Sequence, residues 1–301
     1  MEEQVLTRLD SGSTAARRGL SDLSIRNLFI IPTIIFLIVF NIFPLLYSLG
    51  YSFTDFRASS SEPATFVGLD NYRDLLGDPY VWSNFTITAK YVLVSVGGQV
   101  LVGFGVALLL NRNVPGKGLV TTLLLLPMMM SMAVVGLFWQ LLYSPSWGII
   151  NYLLGLGDFA WLSNPDVALY AVALTDIWMW SPFVMLLSLA GLSAIPKHLY
   201  EAAAIDRASR WYTFTRITLP LVSPLLLIAI IFRTMEAFKT FDLAFIMTSM
   251  ESTELIAIRL YKMAFQEWQT GRSCALAYVV LIMVLAITNI YVKYLNKAKE
   301  R

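Results

Sequence analysis

Long apolar runs separated by short polar segments set the pattern of the chain. Five runs carry no charge: Leu28–Phe53, Tyr91–Leu110, Leu119–Tyr143, Ile177–Ala194 and Ser273–Val292. Each is close to the roughly 20 residues a helix needs to cross the hydrocarbon core of a bilayer. A sixth run, from Ile217 through Phe232, must continue past Arg233, Glu236 and Lys239 to Thr248 to cross. None alternates with period two, which argues against barrel strands. The pattern predicts an all-α integral membrane protein with six transmembrane helices, over 28–53, 85–110, 119–143, 169–194, 217–248 and 273–292. These lie in one membrane domain, 25–295, between tails 1–24 and 296–301. The first run exceeds the length of a signal-peptide core and is read as a retained span.

The polar segments orient this array, because cytoplasmic loops collect Lys and Arg. Arg8, Arg17, Arg18, Arg26, Arg112, Lys117, Lys197, Arg207, Arg210, Arg216, Lys293, Lys297, Lys299 and Arg301 fall on one side. Only Arg57, Arg73, Arg259, Lys262 and Arg272 fall on the other. Fourteen against five predicts cytoplasmic N- and C-termini. Residues 55–78, with "FVGLDNYRDLL", then form an external loop containing a short helix. "NRNVPGKG" (111–118) is a cytoplasmic turn, and "IINYLLGL" (149–156) is placed along the external interface.

Composition agrees with a lipid-facing surface. Of 301 residues 57% are hydrophobic and 14% charged, with mean hydropathy +0.66, where soluble domains carry about 25% charged residues. A net charge of +2 and the lack of a basic, aromatic-laced run argue against a nucleic-acid partner. Cys274 and His198 are the sole residues of their kinds, which excludes an intrachain disulfide and a Cys or multi-His metal cluster. "GKG" (116–118) lacks the rest of a phosphate-binding loop, so no ATP site is expected in the chain. No catalytic constellation has interpretable spacing, and His198 reads as a solvated loop residue. The Asn84 sequon is a three-residue match of little weight. The glycines of "GGQVLVGFG" (97–105) fit close helix packing.

Charges inside spans are expensive and default to function. In "FRTMEAFKTFD" (232–242), Arg233 and Glu236 are three apart and are expected on one helix face, continued by Ala237 and Thr240. Lys239 and Asp242 have the same spacing. Two readings stand: ion pairs local to the helix, or a polar wall along a solute path. Asp176 precedes Trp178, Trp180 and Phe183, an aromatic group suited either to an interfacial belt or to a sugar ring. Pro182 is expected to interrupt that helix. "LLLPMMMSMAVV" (124–135) joins a proline to methionines that commonly fill core gaps.

Between two spans lies "PKHLYEAAAIDRASRWYTFTRITLPL" (196–221). Its alanines favour helix, and Ala202, Ile205, Ala208 or Ser209, and Tyr212 form a stripe at helical spacing. On the cytoplasmic side, such a helix suits docking to a partner.

The "EAA" run, Asp206 and "ITLP" together resemble the cytoplasmic EAA loop of ABC importer permeases, here residues 195–216. Further landmarks are "FPLLYSLGYSFTDF" (43–56), "LNRNVPGKG" (110–118), "LLLLPMM" (123–129), "LSAIPKHLYEAAAIDRAS" (192–209) and "FRTMEAFKTFDLAFIMT" (232–248). With "FVGLDNYRDLL" they resemble the carbohydrate-uptake, maltose permease-like branch over about 25–295. The resemblance implies the type I importer fold, a second permease subunit, two cytoplasmic ATPase subunits that bind ATP and Mg, and a periplasmic or extracellular solute-binding protein. It implies ATPase-coupling contacts at Glu201, Ala202, Ala203 and Asp206, and solute contacts at Met128, Met132, Met179, Trp180, Phe183, Arg233, Glu236, Ala237 and Thr240. The chain departs from the branch in having Arg207 where glycine follows the aspartate, and "SMES" (249–252) in place of "GGP". Arginine resists a positive-φ turn, so the helix is expected to continue through Arg207, which would make its own ATPase contact.

The leading expectation is therefore a permease that moves a sugar or sugar derivative by ATP-driven alternating access, paired with a different permease. The same transporter type serving an anionic solute, such as a glycerol-phosphate or sulfonated sugar, is the alternative, with Arg233 as the anion's partner. A self-contained channel or secondary carrier stands furthest from the motifs.

Overall fold

A computed structural model of the chain describes residues 22–112, 115–248 and 250–299. The expected N-terminal tail lies outside the described residues up to residue 21, as do Arg8, Arg17, Arg18 and Arg301. Apart from one antiparallel bridge between Thr54 and Phe66, regular structure among the described residues is helical. The chain divides into two compact units, Met1–Gly50 and Tyr51–Arg301.

In the first unit, α1 (Asp22–Leu37) passes through a π-turn (Ile38–Ile42) into α2 (Phe43–Ser52). The apolar side chains from Leu28 to Tyr47 are exposed, as lipid-facing side chains are in an isolated subunit.

The second unit takes in the last two residues of α2, and its next helix is α3 (Asp70–Gly77), fixed by Asn71, whose Nδ2 donates to the Ser52 and Thr54 carbonyls at 2.9 and 2.8 Å. α4 (Pro79–Leu110) starts earlier than the expected 85. Hydropathy marks the apolar stretch, whereas the helix starts at its own signals: the Asp78 side chain caps the Tyr80 amide at 2.9 Å and Pro79 opens the first turn. α5 (Lys117–Leu125), a 3₁₀ turn (Pro127–Met129) and α6 (Met132–Leu142) replace the single span expected over 119–143. Pro127 cannot supply the hydrogen bond that would continue α5, and Met130 and Ser131 are extended. A short α7 (Ile149–Leu154) precedes α8 (Ala168–Ser193). Contrary to expectation, α8 runs unbroken through Pro182.

α9 (Lys197–Ile205) and α10 (Arg210–Thr213) lead through a π-turn (Phe214–Thr218) into α11 (Leu219–Phe238). The expected span 217–248 ends there. Lys239 and Phe241 leave helical geometry, and α12 (Asp242–Met247) is a separate short helix. After α13 (Ile256–Tyr261) and a π-turn (Lys262–Gln266), α14 runs Thr270–Lys299. Most of the expected tail 296–301 is therefore helical, because its Lys and Ala residues prolong a helix past the apolar core.

Among the described residues, five helical stretches are long and apolar enough to cross a membrane: Arg26–Ser52, Pro79–Leu110, Ala168–Ser193, Arg210–Phe238 and Thr270–Lys297. Within the second unit α4 lies along α8, and α11 packs on both. At Gly103 α4 meets the backbone of α8: a Cβ there would stand 2.5 Å from the Ser181 carbonyl oxygen. Tyr91, Val96, Val172, Met179, Ala237 and Leu243 form one core cluster, and Ala107, Val184, Leu192, Val222 and Ala229 a second. Asn84, the sequon residue, is buried and donates to the Glu254 carbonyl at 3.0 Å.

Candidate functional site

Where α4, α8 and α11 meet, they bury a charge pair. Arg233 on α11 is 2% exposed and faces Asp176 on α8, also 2% exposed, with Nη2 3.4 Å from Oδ1. Gln99 on α4 closes the triangle: its Oε1 accepts from Arg233 Nε at 2.8 Å, and its Nε2 donates to Asp176 Oδ2 at 2.8 Å. The Trp180 ring lies under the guanidinium, 4.4 Å from Cζ. A buried charge is tolerable only when paired and hydrogen-bonded, and this cluster supplies both from three different helices.

This corrects the expected pairing of Arg233 with Glu236. Arg233 points into the subunit, and Glu236 points outward, accepting from Lys239 Nζ at 2.7 Å. Glu236 and Lys239 sit at the last turn of α11 with side chains 51% and 59% exposed, so they are not sealed in a continuous span. Asp242 opens α12 and is not the partner of Lys239. The aromatic group also divides. At about 100° per residue, Trp178 and Trp180 leave α8 on opposite sides. Trp178 lines a cavity of about 550 Å³ beside Gly103, Pro127, Met130 and Pro182, Trp180 lies under Arg233, and Phe183 packs on the second core cluster.

The expected solute contacts accordingly fall into two groups. Met179, Ala237, Thr240 and Arg233 are buried within the subunit. Met128, in the 3₁₀ turn, Met132, at the start of α6, Trp180 and Phe183 are half-buried, and Glu236 is exposed. None of them lines the 550 Å³ cavity. Sequence reading did not single out Gln99 as a partner. The signal was a polar stripe on α4, Asn84, Thr88, Tyr91, Ser95 and Gln99, at steps of three and four inside an otherwise apolar helix. All five are buried.

The cytoplasmic-loop candidates lie on α9 and its C-terminus. Glu201, Ala202, Asp206 and Arg207 are exposed, whereas Ala203 is 8% exposed and turns inward. The helix does not continue through Arg207, as expected, but stops at Ile205. Arg207 takes φ 53°, the left-handed conformation that glycine adopts freely. Two backbone bonds hold it there: Arg207 N–H donates to the Ala204 carbonyl at 3.1 Å, and Ala208 N–H to the Ala203 carbonyl at 2.9 Å. This is the Schellman pattern of a helix end, formed without its usual glycine. Ile205 (82%) and Trp211 (73%) stand exposed on either side.

Several long apolar helices, joined by short polar connections and clasped by a buried ion pair, define a multi-pass membrane protein with a projecting loop helix. A family model described as "binding-protein-dependent transport system inner membrane component" matches residues 99–301. The trehalose/maltose transport system permease protein MalF of Thermococcus litoralis is 34% identical, covering 88% of this chain and 92% of its own. The sulfoquinovosyl glycerol transport system permease protein SmoG of Agrobacterium fabrum is 31% identical, covering 98% and 99%. In the fold, the chain is similar to one in a bacterial alginate ABC transporter crystallised with an alginate pentasaccharide-bound periplasmic protein (TM-score 0.78, 21% identity, covering 89% and 92%). The chain belongs to the family of inner-membrane components of binding-protein-dependent transport systems. It is the permease component of an ABC importer, and ATP hydrolysis belongs to other subunits.

Proposed function

We propose that this permease carries an uncharged sugar or sugar derivative into the cytoplasm by alternating access. Its partners in this reading are a second, different permease, two cytoplasmic ATPase subunits that hold ATP and Mg, and an external solute-binding protein. Both chain ends and α9 face the cytoplasm, and the broken pair α5–α6 crosses as one span. The exposed residues Glu201, Ala202, Asp206 and Arg207 meet the ATPase, while Ala203 seats α9 on the membrane helices. Solute contacts fall to Met128, Met132, Trp180, Phe183 and Glu236, which keep accessible surface, in preference to the buried Arg233, Met179, Ala237 and Thr240.

The relatives transport trehalose or maltose in one case and a sulfonated sugar glycoside in another, by their names. One observation favours the uncharged class. Arg233, the cation that an anionic solute would need, is already neutralised by Asp176 and held by Gln99. Binding-protein-dependent uptake into proteoliposomes holding the whole assembly tests this. Neutral di- and oligosaccharides are expected to enter and a sulfonated sugar to be refused; uptake of the sulfonated sugar alone would overturn the choice of class.

A further inference from the structure

Where α11 begins and α14 ends, the two helices enclose a groove of about 580 Å³. Pro220, Ser223 and Leu227 stand on its α11 wall, and Tyr291, Tyr294 and Lys297 on its α14 wall. The short side chains of Pro220 and Ser223 leave the space in front of the tyrosines open. Both walls pass from basic to apolar along the groove. On α14 the apolar run ends at Val292, and Lys293 and Lys297 follow one turn apart. On the other wall Arg216 is the last charge before the apolar run from Ile217 to Phe232, and Leu227 lies about 15 Å further along the helix. Arg216, Lys293 and Lys297 are exposed. Among the described residues, none of these three side chains has an ion-pair or hydrogen-bond partner, nor has the Tyr291 or Tyr294 hydroxyl.

We infer that this groove binds an anionic phospholipid, with the headgroup at the basic mouth formed by Lys297 and Arg216 and an acyl chain laid along Leu227. Charge selects the headgroup. Basic pockets between membrane helices attract anionic lipids, whereas a zwitterionic headgroup brings a cation of its own to the same side chains. Tyrosine suits the level between mouth and tail, because its ring is apolar and its hydroxyl is free to meet lipid oxygens. A helix of another protein fits less well, since it would have to bring carboxylates to both walls to cover these cations. The seated lipid ties α14 to the π-turn through which α10 enters α11, the join between the loop helices and the membrane. The site does not depend on which solute the permease carries.

Native mass spectrometry of the whole assembly tests the site, with phosphatidylglycerol and phosphatidylcholine of the same acyl chains offered in equal amounts. The unmodified assembly is expected to retain phosphatidylglycerol in preference. Lys297→Ala should weaken that retention about fivefold, the worth of one lysine beside an anionic headgroup. Ser223→Phe, which fills the groove, should lower it as well. Lys117→Ala removes the same charge at the start of α5, outside the groove, and should leave retention unchanged. Equal retention of the two lipids, or equal loss in Lys297→Ala and Lys117→Ala, would overturn the inference. So would a Ser223→Phe assembly that keeps its lipid but sheds the second permease, because the groove would then be a protein interface. Thermal unfolding gives a second reading, since a ligand stabilises the state that binds it. Added phosphatidylglycerol should raise the Tm of the unmodified assembly more than that of Lys297→Ala, and equal rises would contradict the site.

Discussion

Arg233 and Asp176 lie 57 residues apart in sequence and 3.4 Å apart in space, sealed between three helices. This contact decides what Arg233 does, because a guanidinium already held by a carboxylate, a glutamine and an indole is committed to the interior. Breaking the pair by Asp176→Asn leaves an uncompensated buried cation and should cost about 3–5 kcal/mol. Arg233→Met with Asp176→Leu should recover most of that loss. Thermal unfolding of the purified subunit reads both, and a double variant as unstable as the single would contradict the pairing.

Gly103 and Gly97 both lie on α4 but meet different surroundings. A Cβ at Gly103 collides with the Ser181 carbonyl and Val184, whereas a Cβ at Gly97 meets nothing within 4 Å. Gly103→Ala should therefore destabilise by about 1–3 kcal/mol through overpacking. Gly97→Ala should be neutral or stabilise by up to about 1 kcal/mol, since alanine favours helix. Equal effects at the two positions would show that α4 and α8 do not touch at Gly103.

Arg207 occupies left-handed geometry that costs a residue with a side chain ~1 kcal/mol or more relative to glycine. Arg207→Gly should stabilise the subunit by about that amount, visible as a higher Tm. A lower Tm would mean that the Arg207 side chain holds the turn.

In the loop between α2 and α3, Asp55 is tied to Thr65. Its Oδ2 accepts from the Thr65 hydroxyl at 2.6 Å and its Oδ1 from the Thr65 amide at 2.7 Å. These bonds, the hydroxyl's first, hold the exposed carboxyl below its usual carboxylate value. The stabilisation of a depressed acid is complete above its unfolded pKa and is lost as pH falls through the folded one. Protection of the Thr65 amide, its exchange relative to the intrinsic rate at each pH, should thus be present at neutral pH and lost only below the ordinary carboxylate range. In Asp55→Ala that protection should be absent at every pH, and protection retained in that variant would sink the idea.

The membrane class and most of the long helices were legible because a bilayer demands long apolar runs and the chain supplies them. What escaped were features that depend on partners far away in sequence. Glu236 looked like the partner of Arg233 because it is three residues off, while Gln99 lies 134 residues away on another helix. Pro127 was in plain view, but hydropathy averages over a turn that breaks α5 from α6. Arg207 was misjudged by propensity, since the two backbone bonds of the helix end outweigh its resistance to positive φ. The inward turn of Ala203, beside the exposed Ala202, follows from how α9 seats and not from the residue type.

The central claim is that α9 passes the work of the ATPase to the membrane helices, and Glu201 tests it most directly because it is exposed there. The measurement is sugar-stimulated ATP hydrolysis by the reconstituted assembly carrying Glu201→Lys, alongside the Tm of the same preparation. The account predicts hydrolysis at the unstimulated level with Tm unchanged. Full stimulation in the variant would contradict it.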